Sequence, residues 1–194
     1  MPKEMQEEVA VQDYPQQKTG DIPHSRDLPE MVKSQMYMVE EDKPKIAYQL
    51  FMETLAKGTP GLCFTRVYPA ILTQRYDFGS AHLLWLSNAG KDESIRPRDL
   101  ERLSLLLEQF LVEEKGVALI DGIEYLITNN DFVTVLRMIQ SVRDQVAINE
   151  AIMIVSLDSS TLGYQELSLL EREMDCIVRL QPSGENIQQD FHLR

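Results

Sequence analysis

Apolar residues along this chain occur either as short unbroken runs or as stripes with helical spacing. The clearest run is residues 117–120, Val-Ala-Leu-Ile, which follows Gly116 and ends at Asp121. An unbroken apolar run of this length is typical of a strand buried on both faces of a sheet. Similar runs predict five more strands, at residues 36–39, 62–65, 82–86, 151–157 and 176–180.

Helical spacing of apolar residues fills the segments between these strands. Residues 44–57 repeat apolar side chains at intervals of three and four, with Pro44 in the first turn and Gly58 as the stop. Shorter patterns predict helices at 69–76 and 123–127, and another that follows capping residues at 129–131. The two remaining stripes are Leu100, Leu103, Leu106, Leu107, Phe110 and Leu111 in one helix, and Tyr164, Leu167, Leu170 and Met174 facing inward in the last.

This alternation of strands and helices predicts the fold class. Repeated βα units with apolar strands favour an α/β fold, a three-layer αβα sandwich whose mostly parallel central sheet has helices on both sides. Composition divides the chain into a disordered acidic tail over 1–34, an α/β domain over 35–182 and a polar C-terminal tail over 183–194. Trp85 lies inside the strand at 82–86, so we expect it in the core.

Charge and cysteine usage exclude several classes of function. The formal net charge is -12 at pH 7, and because no run of lysines or arginines offsets it, we expect no nucleic-acid binding. Cys63 and Cys176 lie in apolar runs without a histidine at ligand spacing, which predicts two small buried hydrophobic residues. No apolar run reaches the roughly 20 residues that cross a bilayer, and the N-terminus lacks the pattern of a signal peptide. We therefore expect a cytoplasmic protein without membrane contact.

The carboxyl ends of the predicted strands carry the polar side chains from which a site can be built. Parallel strands place these ends on one edge of the sheet, where open α/β folds bind ligands. Asp121 is placed there as a Walker-B acid would be, with a carboxylate able to hold Mg²⁺ on nucleotide phosphates. Its alternative roles are an ion pair with Arg66 or a cap on the following turn. The residues collected on this edge are Arg66, Ser87, Asn88, Asp121, Glu124 and Asp158.

The sequence contains neither a phosphate loop nor a complete catalytic motif. A phosphate loop needs a glycine-rich turn after the first strand that ends in Lys and then Ser or Thr. Residues 58–61 precede their strand instead, and residues 66–69, Arg-Val-Tyr-Pro, take the place that we expect for such a loop. The three histidines, at positions 24, 82 and 192, are too scattered for a zinc site or a triad. We therefore expect no enzyme, no cofactor and no metal, apart from Mg²⁺ at Asp121 if a nucleotide binds.

Several segments together resemble one family. They are residues 57–69 (KGTPGLCFTRVYP), 85–87 (WLS), 94–100 (SIRPRDL), 119–127 (LIDGIEYLI) and 129–132 (NNDF). These segments look like the archaeal domain-of-unknown-function 835 family, and the resemblance extends over roughly residues 35–179. It implies an archaeal protein that occurs alone or beside sensory and signalling modules, with no assigned activity. More distantly, the layout is similar to RecA- and KaiC-type ATPase domains that have lost the phosphate loop, with Asp121 in the Walker-B place.

These observations favour a non-catalytic α/β interaction module, in archaeal regulation or signalling, that binds a protein partner. Its candidate binding residues are Arg66, Asp121, Glu124, Tyr125, Asn129 and Asn130. The alternative is a nucleotide or small-anion sensor without hydrolysis, in which Arg66 contacts the anion and Asp121 holds Mg²⁺ or a hydroxyl group. A third hypothesis is an enzyme that uses Asp121 and Glu124 as acid and base. Self-association through an edge strand or the leucine-rich helix remains open, so a homo-oligomer is among the expectations.

Overall fold

A single sheet forms the centre of the molecule. The computed structural model describes residues 28–90, 93–180 and 187–191, and within them eight strands pair in the order β4-β3-β2-β5-β6-β1-β7-β8. Neighbouring strands are parallel, except that β7 and β8 are antiparallel. The strands are β1 Gln35–Glu40, β2 Gly61–Thr65, β3 His82–Leu86, β4 Ser94–Ile95, β5 Val117–Asp121, β6 Ile152–Leu157, β7 Cys176–Leu180 and β8 Ile187–Phe191. The strand that ends at Asp121 therefore lies in the interior of the sheet, as its apolar sequence predicts.

Helices cover both faces of this sheet, so the predicted three-layer sandwich is confirmed. The helices are α1 Ile46–Leu55, α2 Pro69–Leu72, α3 Leu100–Glu113, α4 Ile123–Asn129, α5 Phe132–Ile148 and α6 Tyr164–Glu171, with a 3-10 turn at Ser159–Thr161. Apolar side chains of α1 and α2 pack on one face, and those of α3, α4, α5 and α6 pack on the other. Because successive side chains of a strand point to opposite faces, each central strand contributes to both apolar clusters.

The predicted leucine stripe of α3 faces the sheet. Leu103, Leu107 and Leu111 are fully buried, and their spacing of four residues keeps them on one side of the helix. The helix begins after Asp99, whose side chain accepts the main-chain N–H of Arg102 at 3.2 Å. This bond satisfies one of the N–H groups that a helix leaves unpaired at its start. The sequence therefore determines where α3 begins as well as which face it buries.

The structure corrects the prediction that the strand at 176–180 is the last one. β8 lies inside the predicted polar C-terminal tail and pairs with β7 at the edge of the sheet. Ion pairs of Arg179 in β7 help to hold the polar strand β8 in place. Its guanidinium forms salt bridges with Glu40 at 2.8 Å, Glu171 at 2.6 Å and Asp190 at 2.5 Å. One cation thus ties β1, α6 and β8 to β7. The two-residue strand β4, at the opposite edge, was not predicted either.

Three local predictions were also wrong. The helix expected over 69–76 ends at Leu72. Tyr164, which we expected to face inward, is 90% exposed. Trp85 is only partly buried, because β3 lies near the edge of the sheet and its far neighbour β4 is two residues long. The buried positions of Cys63 and Cys176 are as predicted.

The last residues assigned to the acidic tail, 28–34, belong to the described part of the chain. Leu28 and Met31 pack against the apolar cluster below α1, and the main-chain N–H of Ser34 bonds to the carbonyl of Ala151 at 2.7 Å. Residues 28–34 are therefore part of the folded unit, whereas residues 1–27 lie outside the described residues. Among the helices of the described chain, none combines the length and apolar character needed to cross a membrane.

Candidate functional site

Asp121 ends β5 with its carboxylate turned toward α1. The Tyr48 hydroxyl of α1 donates to Asp121 Oδ2 at 2.5 Å, and Thr65 Oγ1 at the end of β2 donates to the same oxygen at 3.2 Å. The main-chain N–H of Arg66 adds a longer bond at 3.4 Å. Asp121 is only 5% exposed, and this burial raises its pKa although the three donors oppose the rise.

These bonds differ from both structural roles that the sequence suggested for Asp121. Within the described residues, its donors come from α1 and β2, and Arg66 contributes its main-chain N–H instead of a guanidinium ion pair. A cap on the following turn is not what the carboxylate provides either. A carboxylate that is buried and already accepts three donors joins the sheet to α1, and this arrangement favours a structural role over Mg²⁺ binding.

Arg66 leaves the end of β2 and crosses the chain at Gly122. Gly122 has a φ of 91°, in the left-handed region that favours glycine, and an added Cβ would collide with Cγ of Arg66. The aliphatic stem of Arg66 therefore passes directly over the Gly122 backbone. Beyond it, the guanidinium carbon lies 3.2 Å from the centre of the Tyr125 ring, and Nη1 donates to the Leu86 carbonyl at 3.1 Å. The exposed Arg66 side chain thus packs on the Asp-Gly-Ile-Glu-Tyr segment.

Glu124 lies in the first turn of α4 in a different environment. Its Oε2 atom is buried and has no hydrogen-bond partner among the described residues. Burial raises the pKa of Glu124, and the neighbouring negative charges of Asp121 and Asp158 raise it further. Since Asp121 is held under α1 by three donors while Glu124 has an unpartnered oxygen, the two carboxylates do not form a hydrogen-bonded pair.

The two asparagines of the candidate site stabilise the end of α4. Asn129 Nδ2 donates to the Tyr125 carbonyl at 2.8 Å. Asn130 Nδ2 donates to the carbonyls of Leu126 and Pro97, both at 2.8 Å. The last carbonyls of a helix lack partners within the helix, so these amides satisfy them and attach the segment before α3 to α4. Their predicted role in binding stays a prediction.

The other polar strand ends serve local turns. Ser87 Oγ accepts the N–H of Ala89 at 3.1 Å, and Asp158 Oδ1 accepts the N–H and hydroxyl of Ser160 at 3.0 and 2.6 Å. Asn88 is exposed. Among the described residues, no cluster of three or more His, Cys, Asp or Glu side chains is arranged to hold a metal ion.

The sequence analysis missed Glu41, which fills the N-terminus of α1. Its Oε2 accepts the main-chain N–H groups of Lys45 at 2.9 Å and Ile46 at 2.8 Å, and its Oε1 accepts that of Ala47 at 3.0 Å. The hydroxyl of Ser156, at the end of β6, donates to Oε1 at 3.3 Å. Glu41 is 8% exposed, so a buried carboxylate occupies the position where a helix N-terminus attracts an anion.

This position also corrects where a phosphate loop would lie. Such a loop joins a buried strand to the start of a helix, and the turn after the first strand is residues 41–45, between β1 and α1. The turn at 66–68, which we had assigned to this place, leads into the four-residue α2. Residues 41–45 read Glu-Asp-Lys-Pro-Lys and contain no glycine. The sequence contained one signal for this role of Glu41: an acid that lies shortly before Pro44 and an apolar helix.

Cavities of different size lie at the two ends of the strands. A depression of about 250 Å³ at the carboxyl edge is lined by Glu40, Glu41, Asp42, Asp158, Ser159 and Arg179. A larger groove of about 880 Å³ lies at the opposite edge, near the amino ends of β2 and β3, and includes Leu55, Phe78 and Phe110. The small depression is dominated by acids, which makes it unfavourable for a nucleotide phosphate.

Comparison with known proteins identifies the family of this chain and agrees with its fold. A family model described as a protein of unknown function, DUF835, matches residues 40–174, so the chain belongs to this family. The comparison with curated proteins finds no match. Among solved structures, the chain is similar to a KaiC-like protein of the hyperthermophilic archaeon Pyrococcus horikoshii, with 12% identity, 87% of this chain and 83% of that chain covered, and a TM-score of 0.60.

The flagellar accessory protein FlaH of Methanocaldococcus jannaschii is similar as well. The identity is 14%, the coverage is 82% of this chain and 77% of that chain, and the TM-score is 0.57. Identities this low establish the fold alone. The predicted family and the RecA/KaiC-like fold are therefore confirmed.

Proposed function

We propose that this DUF835 protein is a non-catalytic RecA/KaiC-like module of archaeal regulation or signalling that acts by binding a protein partner at the carboxyl edge of its sheet. The observation that carries the proposal is Glu41. Its carboxylate accepts three main-chain N–H groups at the start of α1, those of Lys45, Ile46 and Ala47, and a hydroxyl of β6. A fold that fills its own anion position has no open N–H cradle there for a phosphate group.

The second acid of this edge supports the same conclusion. Asp121 stands where a metal-binding acid would stand, but its Oδ2 atom accepts hydrogen bonds from Tyr48 and Thr65. Arg66, by contrast, is exposed and held over Tyr125. Arginine and tyrosine are enriched at the residues that dominate protein–protein binding energies, so the accessible part of the edge is suited to a protein surface.

The first experiment tests for a nucleotide. Purified protein is heated with ATP, GTP or inorganic phosphate, each with and without Mg²⁺, and we expect an unchanged melting temperature. Glu41→Ala serves as the control, since it frees the α1 N–H groups and phosphate should then stabilise the variant. A ligand at about 100 times its dissociation constant adds roughly 2.7 kcal/mol. A Mg²⁺-dependent rise in the wild type that is lost in Asp121→Ala would overturn the proposal in favour of a nucleotide sensor.

The second experiment tests for the partner. Immobilised wild type, Arg66→Glu and Arg172→Glu are exposed to archaeal extract, and the captured proteins are compared. Arg66 and Arg172 are both exposed, and their substitutions change the charge equally, but Arg172 follows α6 on the way to the amino end of β7. We expect a protein that is captured by the wild type and Arg172→Glu but lost with Arg66→Glu. Equal capture by all three chains would contradict the assignment of the site.

A further inference from the structure

We propose that the carboxyl ends of β2, β3 and β4 form a docking surface for an acidic segment of the partner protein. This inference rests on the proposed function and adds the chemistry of the partner. The surface, which we call the arginine-aromatic surface, consists of Arg66, Tyr68, Trp85, Arg96 and Arg98. Its members come from three neighbouring strand ends, and the contacts below tie the backbones of these ends together.

Two aromatic rings form the first half of this surface. The rings of Tyr68 and Trp85 pack with their centres 4.9 Å apart, and Trp85 Nε1 donates to the Arg66 carbonyl at 3.2 Å. Tyr68 is 38% exposed, and Ile71 in the helix that follows is 45% exposed. Fixed aromatic side chains with one accessible side lose little entropy when a partner covers them, which makes them effective anchors in interfaces.

Arginines form the second half. The Arg66 guanidinium is fixed by the Tyr125 ring and by the Leu86 carbonyl. Leu86 pairs with Ile95 of β4, and Arg96 is the next residue along the chain. Two residues further, Arg98 follows Pro97, whose carbonyl is held by Asn130 of α4. Arg66, Arg96 and Arg98 are all exposed, and their backbones are tied to one another through β3, β4 and α4.

The sign of this local charge identifies the occupant. The chain carries a formal charge of -12, yet three exposed arginines lie within these strand ends. Among the acids near them, Asp99 caps α3 and Glu124 is partly buried in the first turn of α4, whereas Glu93 and Glu101 are exposed. A short acidic segment would meet the arginines locally, whereas a long nucleic acid would extend over the negative remainder of the surface. Arginine also forms paired hydrogen bonds with carboxylates.

Trp85 provides a direct readout, because it is the single tryptophan of the chain. The probe is a 12-residue synthetic peptide in which glutamates alternate with leucine and serine, and its control has glutamine at every glutamate. Titration should change the Trp85 emission with saturation for the acidic peptide, and added salt should weaken binding because the charges are exposed. The glutamine peptide should bind at least about tenfold more weakly.

A pair of charge-matched variants separates local from overall electrostatics. Arg96→Glu/Arg98→Glu and Lys115→Glu/Arg172→Glu change the net charge equally. Lys115 and Arg172 are exposed and precede the amino ends of β5 and β7, at the other edge of the sheet. We expect the first variant to lose affinity for the acidic peptide by about tenfold or more, and the second to lose less than about twofold. Circular dichroism establishes that both are folded.

Several results would overturn the acidic-segment inference. The first is an unchanged Trp85 emission with the acidic peptide, and the second is an equal loss of peptide affinity in both variants. The third is a single-stranded oligonucleotide that binds more tightly than the acidic peptide. The fourth is a Trp85 emission that depends on protein concentration without a probe, because a second copy then covers the surface. If Arg66 is needed to capture a partner but the acidic peptide does not bind, this inference fails and the proposed function stands. If Mg²⁺-nucleotide stabilises the wild type, the proposed function fails instead.

Discussion

The buried carboxyl group of Glu41 makes a definite prediction about pH. Burial raises its pKa from 4.5 to about 7, although the three main-chain N–H groups of α1 oppose the rise. The group thus holds its proton more tightly in the folded chain than in the unfolded chain. Between these two pKa values the folded state binds more protons, so the contribution of Glu41 to the free energy of unfolding must fall as the pH rises.

Glu41→Gln removes this titration with little change in size. Its amide oxygen still accepts main-chain N–H groups, its amide nitrogen does not, and the resulting loss of stability does not depend on pH. The difference between 4.5 and about 7 corresponds to about 3 kcal/mol. The contribution is fully present below about pH 4.5 and is lost as the pH rises through about 7. The variant should therefore gain about 3 kcal/mol relative to the wild type on going from about pH 4 to about pH 8.

The assay is urea unfolding of both proteins over this range, followed by circular dichroism at constant ionic strength. Asp42→Asn is the matched control, since Asp42 is the adjacent acid and is exposed, and its profile should follow that of the wild type. The reasoning is refuted if the wild type gains stability relative to Glu41→Gln as the pH rises. That result would mean that the N–H groups of α1 outweigh burial and hold the carboxylate charged.

Three further predictions concern the contacts around this edge and the last strand. Tyr48→Phe removes the shortest donor to Asp121 and should lower the free energy of unfolding by about 1–3 kcal/mol in urea titrations. Gly122→Ala combines a φ of 91° with a collision against Arg66, so a loss of about 1–2 kcal/mol should accompany a change in Trp85 emission. Arg179→Gln leaves three carboxylates without their shared cation. The substitution should speed up amide hydrogen exchange in β8 more than in β5. An exchange rate in β8 that stays at the wild-type value would show that backbone pairing alone holds this strand.

Much of the central sheet is predictable from the sequence because its strands are buried on both faces. Such strands require unbroken apolar runs, and the run before Asp121 identified β5 and its place in the interior. The edges lack this requirement. β8 reads Ile-Gln-Gln-Asp-Phe and β4 is only two residues long, so neither produces a periodic apolar signal. Arg179, which holds β8, acts through partners on three other elements.

The sequence predicts on which edge the candidate residues lie, but not how their side chains are oriented. The rule that parallel strands collect their carboxyl ends on one edge correctly brought Arg66, Asp121 and Glu124 to the same edge. It did not say which way the carboxylate of Asp121 turns, because that depends on Tyr48, which lies 73 residues earlier. Glu41 is a stronger case. Its role requires Ser156, 115 residues away in sequence, and the geometry of the α1 N-terminus, neither of which a local pattern contains.

The two inward-facing acids change what the carboxyl edge can do. In an open site, the N–H groups at the start of α1 and the carboxylate at the end of β5 would be available to a ligand. Here Glu41 accepts the N–H groups and Tyr48 donates to Asp121 Oδ2, so these two features of an open site are paired within the protein. The accessible groups of the edge include Arg66, which is exposed and held over the Tyr125 ring. Under the proposed function, such a group gains from being covered by another protein surface, and the edge acts through contact instead of chemistry.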